Sequence, residues 1–375
     1  MEGQQLQPLI HNMANTGHKE FVYLAAKINK VDDIVYHYNK VLHLSHDGFI
    51  ESKPPGSLLF YYTTKKLSGF FFHSTLSIKD TIRNIHSFAI IAWPFFSLLV
   101  LFPLYFFVKI FFKQKIALSA CLLYIMIPST NLVTMHLDQV LYPLLFILTL
   151  LTASYAANKN NIYFLFMVGV ILYLSIYFTF GLLASTPFIV YIYLNKEQKI
   201  LRLLQNILLT VLGFFFAYLL FFILFDYDAY THYKKAITHS RSWNRAETFD
   251  FIKTLYSAQI NFYEFSIFLG VPILILYATG FVYDLKNLFA LQNHKNSKNL
   301  FLFSLISFGT ILLMHLIQRN TGEVIRIWLF LTTLITARCA YIIHSLWKKN
   351  IFIAHTTIIV LQWFCILIIK SRHDF

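Results

Sequence analysis

Long apolar stretches separated by short polar turns run from about residue 85 to the end of the chain. A helix needs about 20 apolar residues to cross the hydrocarbon core of a bilayer, and most of these stretches approach or exceed that length. The pattern predicts about ten transmembrane helices, at 85–112, 116–134, 138–157, 162–177, 182–194, 200–224, 259–281, 300–317, 327–346 and 351–369. We therefore expect an all-α polytopic membrane protein.

The first 84 residues have a different pattern, with polar residues mixed throughout. They contain no apolar run near about 18 residues, and so predict neither a span nor the apolar core of a signal peptide. We expect two regions: an external, partly helical segment at 1–84 and a multi-span transmembrane domain at 85–375. Because a basic segment of this length does not readily cross a membrane without a preceding helix, we also expect a first helix upstream of Met1.

One apolar stretch, 162–194, is interrupted only by Thr179, Gly181, Ser185, Thr186 and Pro187. Non-helical backbone at membrane depth is tolerated where it is buried in protein or lines a water-filled cavity. We therefore expect two short, broken helices here, lining a polar cavity.

Composition supports the membrane class, because the chain is 57% hydrophobic and only 13% charged, with a mean hydropathy of +0.60. That is more apolar surface than one soluble core could bury. The formal net charge is +14, but the basic residues are spread between the apolar stretches. This distribution argues against a nucleic-acid partner and indicates contact with membrane lipids.

The positions of Lys and Arg in the short turns predict the orientation, since cytoplasmic turns carry an excess of both. The turns that we place in the cytoplasm hold Lys113, Lys115, Lys159, Lys196, Lys199, Arg202, Lys286, Lys295, Lys298, Lys348 and Lys349. The opposite face then collects 1–84, the turn at 135–138, the loop at 226–258 and the turn at 318–326. Nearly all the candidate chemistry is predicted to face this non-cytoplasmic side.

The N-terminal segment contains Asp32-Asp33-Ile-Val-Tyr36 and, about twenty residues after Asp33, the sequence Lys53-Pro54-Pro55-Gly56. A carboxylate-containing DxxY-like stretch followed by a KPPG-type element resembles the first external loop of GT-C superfamily glycosyltransferases. The similarity is to protein O-mannosyltransferases and lipid A aminoarabinose transferases. Further similar segments are Pro128 to Pro143, Asn261 to Phe265 and Gly322 to Phe330.

The resemblance implies transfer of a sugar from a polyprenyl- or dolichyl-phosphate carrier to a lipid, glycan or protein acceptor, with inversion at the anomeric carbon. It also implies a GT-C-like arrangement in the bacterial inner membrane or its equivalent, with the active face on the cell-envelope side. It requires no cofactor; the sequence leaves a need for a divalent cation open, and it specifies neither the donor sugar nor the acceptor.

An acceptor hydroxyl needs a general base as the carrier phosphate leaves, and a partly desolvated carboxylate can serve. We assign this role to Asp33. Asp32 is its neighbour, and Glu20 is a second alternative, because the spacing from the carboxylate to the KPPG element varies among such proteins. The competing interpretation is that all three are solvated loop charges.

A departing phosphodiester needs fixed positive charge, and Lys53 matches the family position for that contact. The prolines that follow bias Lys53 toward an extended backbone. Arg319 and Arg326 are further candidates, because guanidinium groups bind phosphate oxygens in a bidentate manner. Glu323 and Arg326 share a helix face, so a structural ion pair is the alternative for Arg326.

Two other residues are candidates for substrate contacts. His46 belongs to the same stretch as the KPPG element, and Asp138 follows His136 in a turn that has no other charge. A helix-capping role for Asp138 is the competing interpretation, since a His-x-Asp pair is not a metal motif. The loop at 226–258 either covers the cavity or binds anionic headgroups.

Two other functional classes remain open. A transporter or flippase for a lipid-linked sugar would also need many spans, a basic cavity and broken helices. An inactive structural subunit is the third reading. The sequence contains no nucleotide-binding, zincin or esterase motif, which argues against a nucleotide-driven pump, a Rossmann-type enzyme, a metalloprotease and an esterase.

Overall fold

The computed structural model describes residues 19–44, 50, 53–72, 77–132, 137–196, 199–243, 250–289, 295–318 and 324–372. Within these ranges the chain is helical, with short 3₁₀ turns and no β-strand. The N-terminal helices are α1 (Lys19–Lys27), α2 (Val31–Tyr36), α3 (Tyr38–Leu42), α4 (Pro55–Phe71), α5 (Ile78–Leu98), α6 (Leu101–Phe111), α7 (Gln114–Ile125), α8 (Pro128–Leu132), α9 (Tyr142–Lys159) and α10 (Ile162–Phe178).

The remaining helices are α11 (Thr186–Lys196), α12 (Ile200–Phe225), α13 (Ala229–Trp243), α14 (Phe251–Leu269), α15 (Val271–Phe289), α16 (Lys295–Gln318), α17 (Val324–Ile327), α18 (Thr332–Leu346) and α19 (Ile351–Arg372). The 3₁₀ turns are Leu137–Leu141, Phe180–Ser185 and Leu329–Leu331.

Five segments of the described chain are long and apolar enough to cross a membrane: Ile78–Phe111, Gln139–Lys159, Ile200–Phe225, Leu329–Leu346 and Ile351–Arg372. A bent pair, Phe251–Leu269 with Val271–Lys286, adds a sixth if it counts as one span. The all-helical membrane class is confirmed. The prediction of ten spans is not confirmed, because other predicted spans fall on shorter helices such as α7 and α10.

The predicted break within 162–194 is confirmed. Helix α10 ends at Phe178, a 3₁₀ turn follows at Phe180–Ser185, and α11 begins at Thr186. The Thr179 hydroxyl accepts a hydrogen bond from the backbone N–H of Gly181, which stabilises the turn. The α-helix of this apolar stretch is therefore interrupted at the small residues that the sequence places there.

A second break corrects the prediction of one continuous span at 259–281. The chain bends by 107° between α14 and α15, at Gly270 with a φ of +88°. The amide of Gln362 donates to the carbonyl oxygen of Leu269 at 3.0 Å, which satisfies an end carbonyl of α14. A Cβ atom at Gly270 would overlap this Gln362 amide, so both the backbone angle and the space require glycine.

The first four helices, α1 to α4, pack into an aromatic core against α5 and α10. Tyr61 of α4 stacks on Phe21 of α1 with ring centroids 5.3 Å apart, and meets Trp93 of α5 edge-on at 6.2 Å. Lys65 donates to the carbonyl oxygens of Ala26 and Ile28 at 2.9 and 2.7 Å, and so caps the end of α1. The expected boundary after residue 84 lies inside α5, which begins at Ile78.

A second, larger core joins the remaining helices of the bundle. It encloses an ion pair between Arg338 of α18 and Asp284 of α15, with a nitrogen to oxygen distance of 2.7 Å and both side chains almost fully buried. The Arg338 guanidinium also lies over the rings of Tyr277 and Phe281, at 5.0 and 5.8 Å from their centroids. Such cation–π contacts add to the pairing of a buried charge.

Candidate functional site

The KPPG element forms the start of α4. Pro54 has an extended backbone (φ −70°, ψ 160°) and Pro55 is the first helical residue, a position where a missing backbone N–H costs nothing. The Tyr38 hydroxyl donates to the carbonyl oxygen of Lys53 at 2.8 Å. The backbone of Lys53 is therefore fixed from both sides, by the prolines after it and by a tyrosine from α3.

This turn is docked on the end of α10. The Ser57 hydroxyl donates to the carbonyl oxygen of Phe178 at 3.0 Å, and satisfies a carbonyl that the helix end leaves free. A Cβ atom at Gly56 would overlap the carbonyl oxygen of Tyr177. Glycine thus permits the close approach of the two backbones, which explains the Pro-Gly-Ser order in the element.

The carboxylates proposed as the base lie on neighbouring helices. Asp32 and Asp33 are in the first turn of α2, where Asp32 is exposed and Asp33 is partly buried, and Glu20 is partly buried in α1. Helix α2 packs on α4 and α12, with the rings of Tyr36 and Phe225 5.4 Å apart. The structure therefore packs the helix of the DxxY stretch, α2, against α4, the helix that the KPPG element begins.

Aromatic side chains from α3, α10 and the chain after α12 meet beneath the turn. The Tyr227 ring lies 5.4 Å from Tyr177, 6.4 Å from Tyr38 and 4.9 Å from His232, measured between centroids. The hydroxyls of Tyr227 and Tyr173 are buried and have no hydrogen-bond partner among the described residues. Burial is the main cause that raises the pKa of Tyr227 above its usual value, so the hydroxyl stays protonated.

A polar pocket of about 310 Å³ opens beside this cluster, between α3 and the start of α13. Its lining consists of Asn39, Leu42, His43, Asp226, Asp228, Thr231, His232 and Lys235. Sequence reasoning treated the 226–258 loop only as a cover or a lipid contact, and did not select His43, Asp226 or His232. The available signal was Asp226-Tyr-Asp228 immediately after a long apolar helix.

Asp228 has a structural role in this pocket as the cap of α13. One carboxylate oxygen accepts from the backbone N–H groups of Tyr230 and Thr231 at 3.0 and 3.3 Å and from the Tyr218 hydroxyl at 3.1 Å. The other oxygen accepts from the Thr231 hydroxyl. Burial alone would raise the pKa of Asp228, but these hydrogen bonds outweigh it and hold the pKa below its usual value.

His232 has one ring nitrogen engaged. Its Nδ1 lies 2.9 Å from the carbonyl oxygen of Asp228, and because a carbonyl oxygen only accepts, Nδ1 carries the proton. In the neutral ring Nε2 is then an acceptor, and it is buried with no partner among the described residues. Burial lowers the pKa of His232, and the Lys235 ammonium lowers it further against the effect of Asp228, so the ring stays neutral near pH 7.

Several predicted site residues lie outside the described residues: His46, Arg319 and Glu323. For Arg326 and Asp138 the backbone is described but the side chain is not. Arg326 is in the short helix α17, which packs on α14. Asp138 is in the 3₁₀ turn Leu137–Leu141, which packs on α4 and α5. The backbone of Asp138 therefore belongs to an element that contacts the helix of the KPPG turn.

No group of three or more His, Cys, Asp and Glu side chains that could hold a metal ion occurs in the part of the chain that the structure describes. The question of a divalent cation therefore stays where the sequence left it.

Comparisons with known proteins add one distant likeness. No family model matches the chain, and no curated protein matches it. Among solved structures, the chain is similar to the crystal structure of the Archaeoglobus fulgidus oligosaccharyltransferase in the apo form, with 11% sequence identity and a TM-score of 0.47. The alignment covers 84% of this chain and 46% of that one, so the chain spans about half the length of the protein that it matches.

Proposed function

We propose that this protein is a membrane glycosyltransferase that moves a sugar from a polyprenyl- or dolichyl-phosphate carrier to an acceptor on the non-cytoplasmic face. The observation that supports the proposal is the packing of α2, which carries the DxxY stretch, on α4, which the KPPG element begins, together with the polar pocket between α3 and the start of α13. A carboxylate in α2 and a lysine whose backbone is held at the start of α4 would provide the two groups that the transfer needs. The proposal includes a GT-C-like architecture with about ten crossings in a bacterial inner membrane or its equivalent.

In this mechanism Asp33 accepts the proton of the acceptor hydroxyl. The hydroxyl oxygen attacks the anomeric carbon from the side opposite the phosphate, which inverts that carbon. The bond from the anomeric carbon to the phosphate oxygen breaks, and the carrier phosphate leaves with the electron pair. Lys53 stabilises the charge on the leaving phosphate, since fixed cations are most effective where charge develops.

The other sequence candidates are proposed for the same site. Arg326 and Arg319 would give further positive charge to the carrier phosphate, and Glu323 would orient Arg326. His46 and Asp138 would contact the substrate. Asp32 and Glu20 are the alternatives if Asp33 is not the base.

A transporter or flippase for a lipid-linked sugar is the second candidate. The observation that favours it is the pair of broken apolar helices, at Thr179 and at Gly270, because discontinuous helices often form the binding sites of transporters. Such a protein would bind and move the lipid-linked sugar without breaking its glycosyl bond.

The deciding experiment measures sugar transfer from a radiolabelled polyprenyl-phosphate donor by the full chain in proteoliposomes. We expect Asp33→Asn to lower the transfer rate by about a hundredfold or more and to leave donor binding intact, because only the general base is removed. Asp80→Asn is the matched control, since Asp80 is an exposed residue in the first turn of α5.

Full activity of Asp33→Asn would move the role of base to Asp32 or Glu20. Bound donor with no transfer by the intact protein would favour transport instead. Lys53→Met tests the phosphate contact, because methionine keeps much of the stem and removes the charge. Lys66→Met, on the exposed side of α4, is its control and should leave donor binding unchanged.

A further inference from the structure

The unused hydrogen-bonding capacity of His232 points to a ligand. The ring lines the pocket between α3 and α13 and is only 3% exposed. The tautomer fixed by the Asp228 carbonyl leaves Nε2 as a buried acceptor, with no donor among the described residues. A buried acceptor without a donor is unfavourable, so a ligand that donates a hydrogen bond to it would gain binding energy.

The charges of the pocket select the kind of ligand. The carboxylates of Asp226 and Asp228 oppose a phosphate group, whereas the Lys235 ammonium opposes a cation. The lining contains acceptors (Asp226 and His232), a donor (Lys235) and the Asn39 amide, which does both. A sugar hydroxyl also donates and accepts, and the side chain of Leu42 gives an apolar surface for the C–H face of a ring.

The size of the pocket limits the ligand to a single unit. Small-molecule pockets occupy about 300 to 1,000 Å³, and this one, at about 310 Å³, is at the lower end. The His43 and Lys235 side chains of its lining are exposed, so the pocket is open to solvent there. Because Nε2 itself is buried, contact with a ligand requires that neighbouring side chains move aside.

We propose that this pocket binds one neutral sugar residue through its hydroxyl groups, with His232 Nε2 accepting a hydrogen bond from one of them. The assignment of that sugar to the acceptor or to the donor rests on the proposed function. The binding itself does not, because it needs no transfer.

The test is saturation-transfer-difference NMR on the full chain in lipid nanodiscs, with mannose, glucose, galactose and N-acetylglucosamine as neutral probes. Inorganic phosphate is the anionic probe, and its binding is followed by broadening of its ³¹P signal, because it has no C–H protons. We expect at least one neutral sugar to bind. His232→Asn should weaken that binding by about tenfold, because asparagine can keep the donor toward the Asp228 carbonyl and removes the acceptor at Nε2. His239→Asn, on the same helix but outside the pocket lining, should leave it unchanged.

A second variant keeps the proposal testable if His232→Asn does not fold. Asp226 has a φ of +49°, a conformation that asparagine also tolerates, so Asp226→Asn should keep the backbone and weaken sugar binding. The proposal is wrong if none of the four sugars binds, if phosphate binds more tightly than they do, or if neither variant weakens binding.

The transfer assay separates this proposal from the proposed function. If sugar binding depends on His232 but the protein has no transfer activity, only the proposed glycosyltransferase activity is wrong. If the protein is active but sugar binding is independent of His232, only the proposed sugar site is wrong. In an active protein, a neutral sugar that raises the KM of the donor occupies the donor side, and one that leaves this KM unchanged occupies the acceptor side.

Discussion

Two regions of this protein bury polar groups, and they differ in how these groups are hydrogen-bonded. Around α18 charged and polar side chains pair with one another: Arg338 is bonded to Asp284, and the Ser119 hydroxyl lies 2.8 Å from His344 Nε2 and 2.7 Å from His355 Nε2. Around α13, by contrast, His232 Nε2 and the Tyr227 hydroxyl are buried without partners among the described residues.

The hydrogen bonds of the first region form a chain with one direction. His355 Nδ1 lies 2.8 Å from the carbonyl oxygen of Ile351 and must donate to it, so His355 Nε2 accepts from the Ser119 hydroxyl. That hydroxyl then accepts from His344. A chain satisfied in this way joins three helices and leaves nothing for a ligand. The comparison shows that paired polar groups join helices of this bundle, whereas the unpaired nitrogen of His232 belongs to a side chain that lines a pocket.

The largest effect on stability should come from breaking the ion pair between Arg338 and Asp284. Asp284→Asn leaves the Arg338 charge without its counter-ion inside the bundle, and we expect a loss of about 3–5 kcal/mol in the free energy of unfolding. The measurement is reversible unfolding of the purified protein in mixed detergent micelles.

The double variant Asp284→Leu/Arg338→Met sharpens this result. Replacing both charges by apolar side chains should restore most of the stability, because the cost arises from one unpaired charge. Asp250→Asn is the control, since its exposed carboxylate caps α14 and asparagine caps a helix equally well. Equal destabilisation by the single and double variants would show that shape, and not charge, matters at this position.

A smaller effect is expected at the docking point of the KPPG turn. Gly56→Ala places a methyl group against the Tyr177 carbonyl, and we expect a loss of about 1–3 kcal/mol in stability, with a larger KM for the donor because Lys53 is displaced. Gly69→Ala is a matched control in the same helix, because a Cβ atom there meets nothing within 4 Å. That change should stabilise α4 slightly. An unchanged donor KM in a folded Gly56→Ala protein would contradict the link between this contact and Lys53.

The same comparison shows how far the sequence could lead. Hydropathy located the helical segments, and the small residues after Phe178 located the first break. The second break was missed, although Gly270 and Pro272 are a stop and a start signal, because the apolar run continues through them. Its completion depends on Gln362, which is distant in sequence.

The site shows the same limit. The KPPG element and the carboxylates could be selected from the sequence because each motif is local, and their roles stay predictions. The burial of His232 could not be predicted, because it depends on the Tyr38 ring 5.7 Å away and on Tyr227. The local sequence around a histidine in a polar loop does not indicate whether tertiary packing will bury its ring.

The smallest expected effect is the contribution of His232 to the pH dependence of stability. It tests whether the region around α13 excludes water from the ring. The groups near the ring are Asp228, Lys235 and Tyr227, and the rest of the pocket contributes His43 and Asp226. An unfolded histidine has a pKa of about 6.5, and the folded value lies below it because burial disfavours the charged ring.

As the pH falls below about 6.5, His232 becomes protonated in the unfolded chain but stays neutral in the folded protein. The contribution of His232 to stability is therefore present above that pH and is lost as the pH approaches the folded pKa. We expect the stability difference between the wild-type protein and His232→Asn to be constant from pH 7 to 8 and to shrink below pH 6.5. A difference that stays constant down to pH 5 would mean that the ring is solvated in the folded protein, and the contrast between the two regions would then disappear.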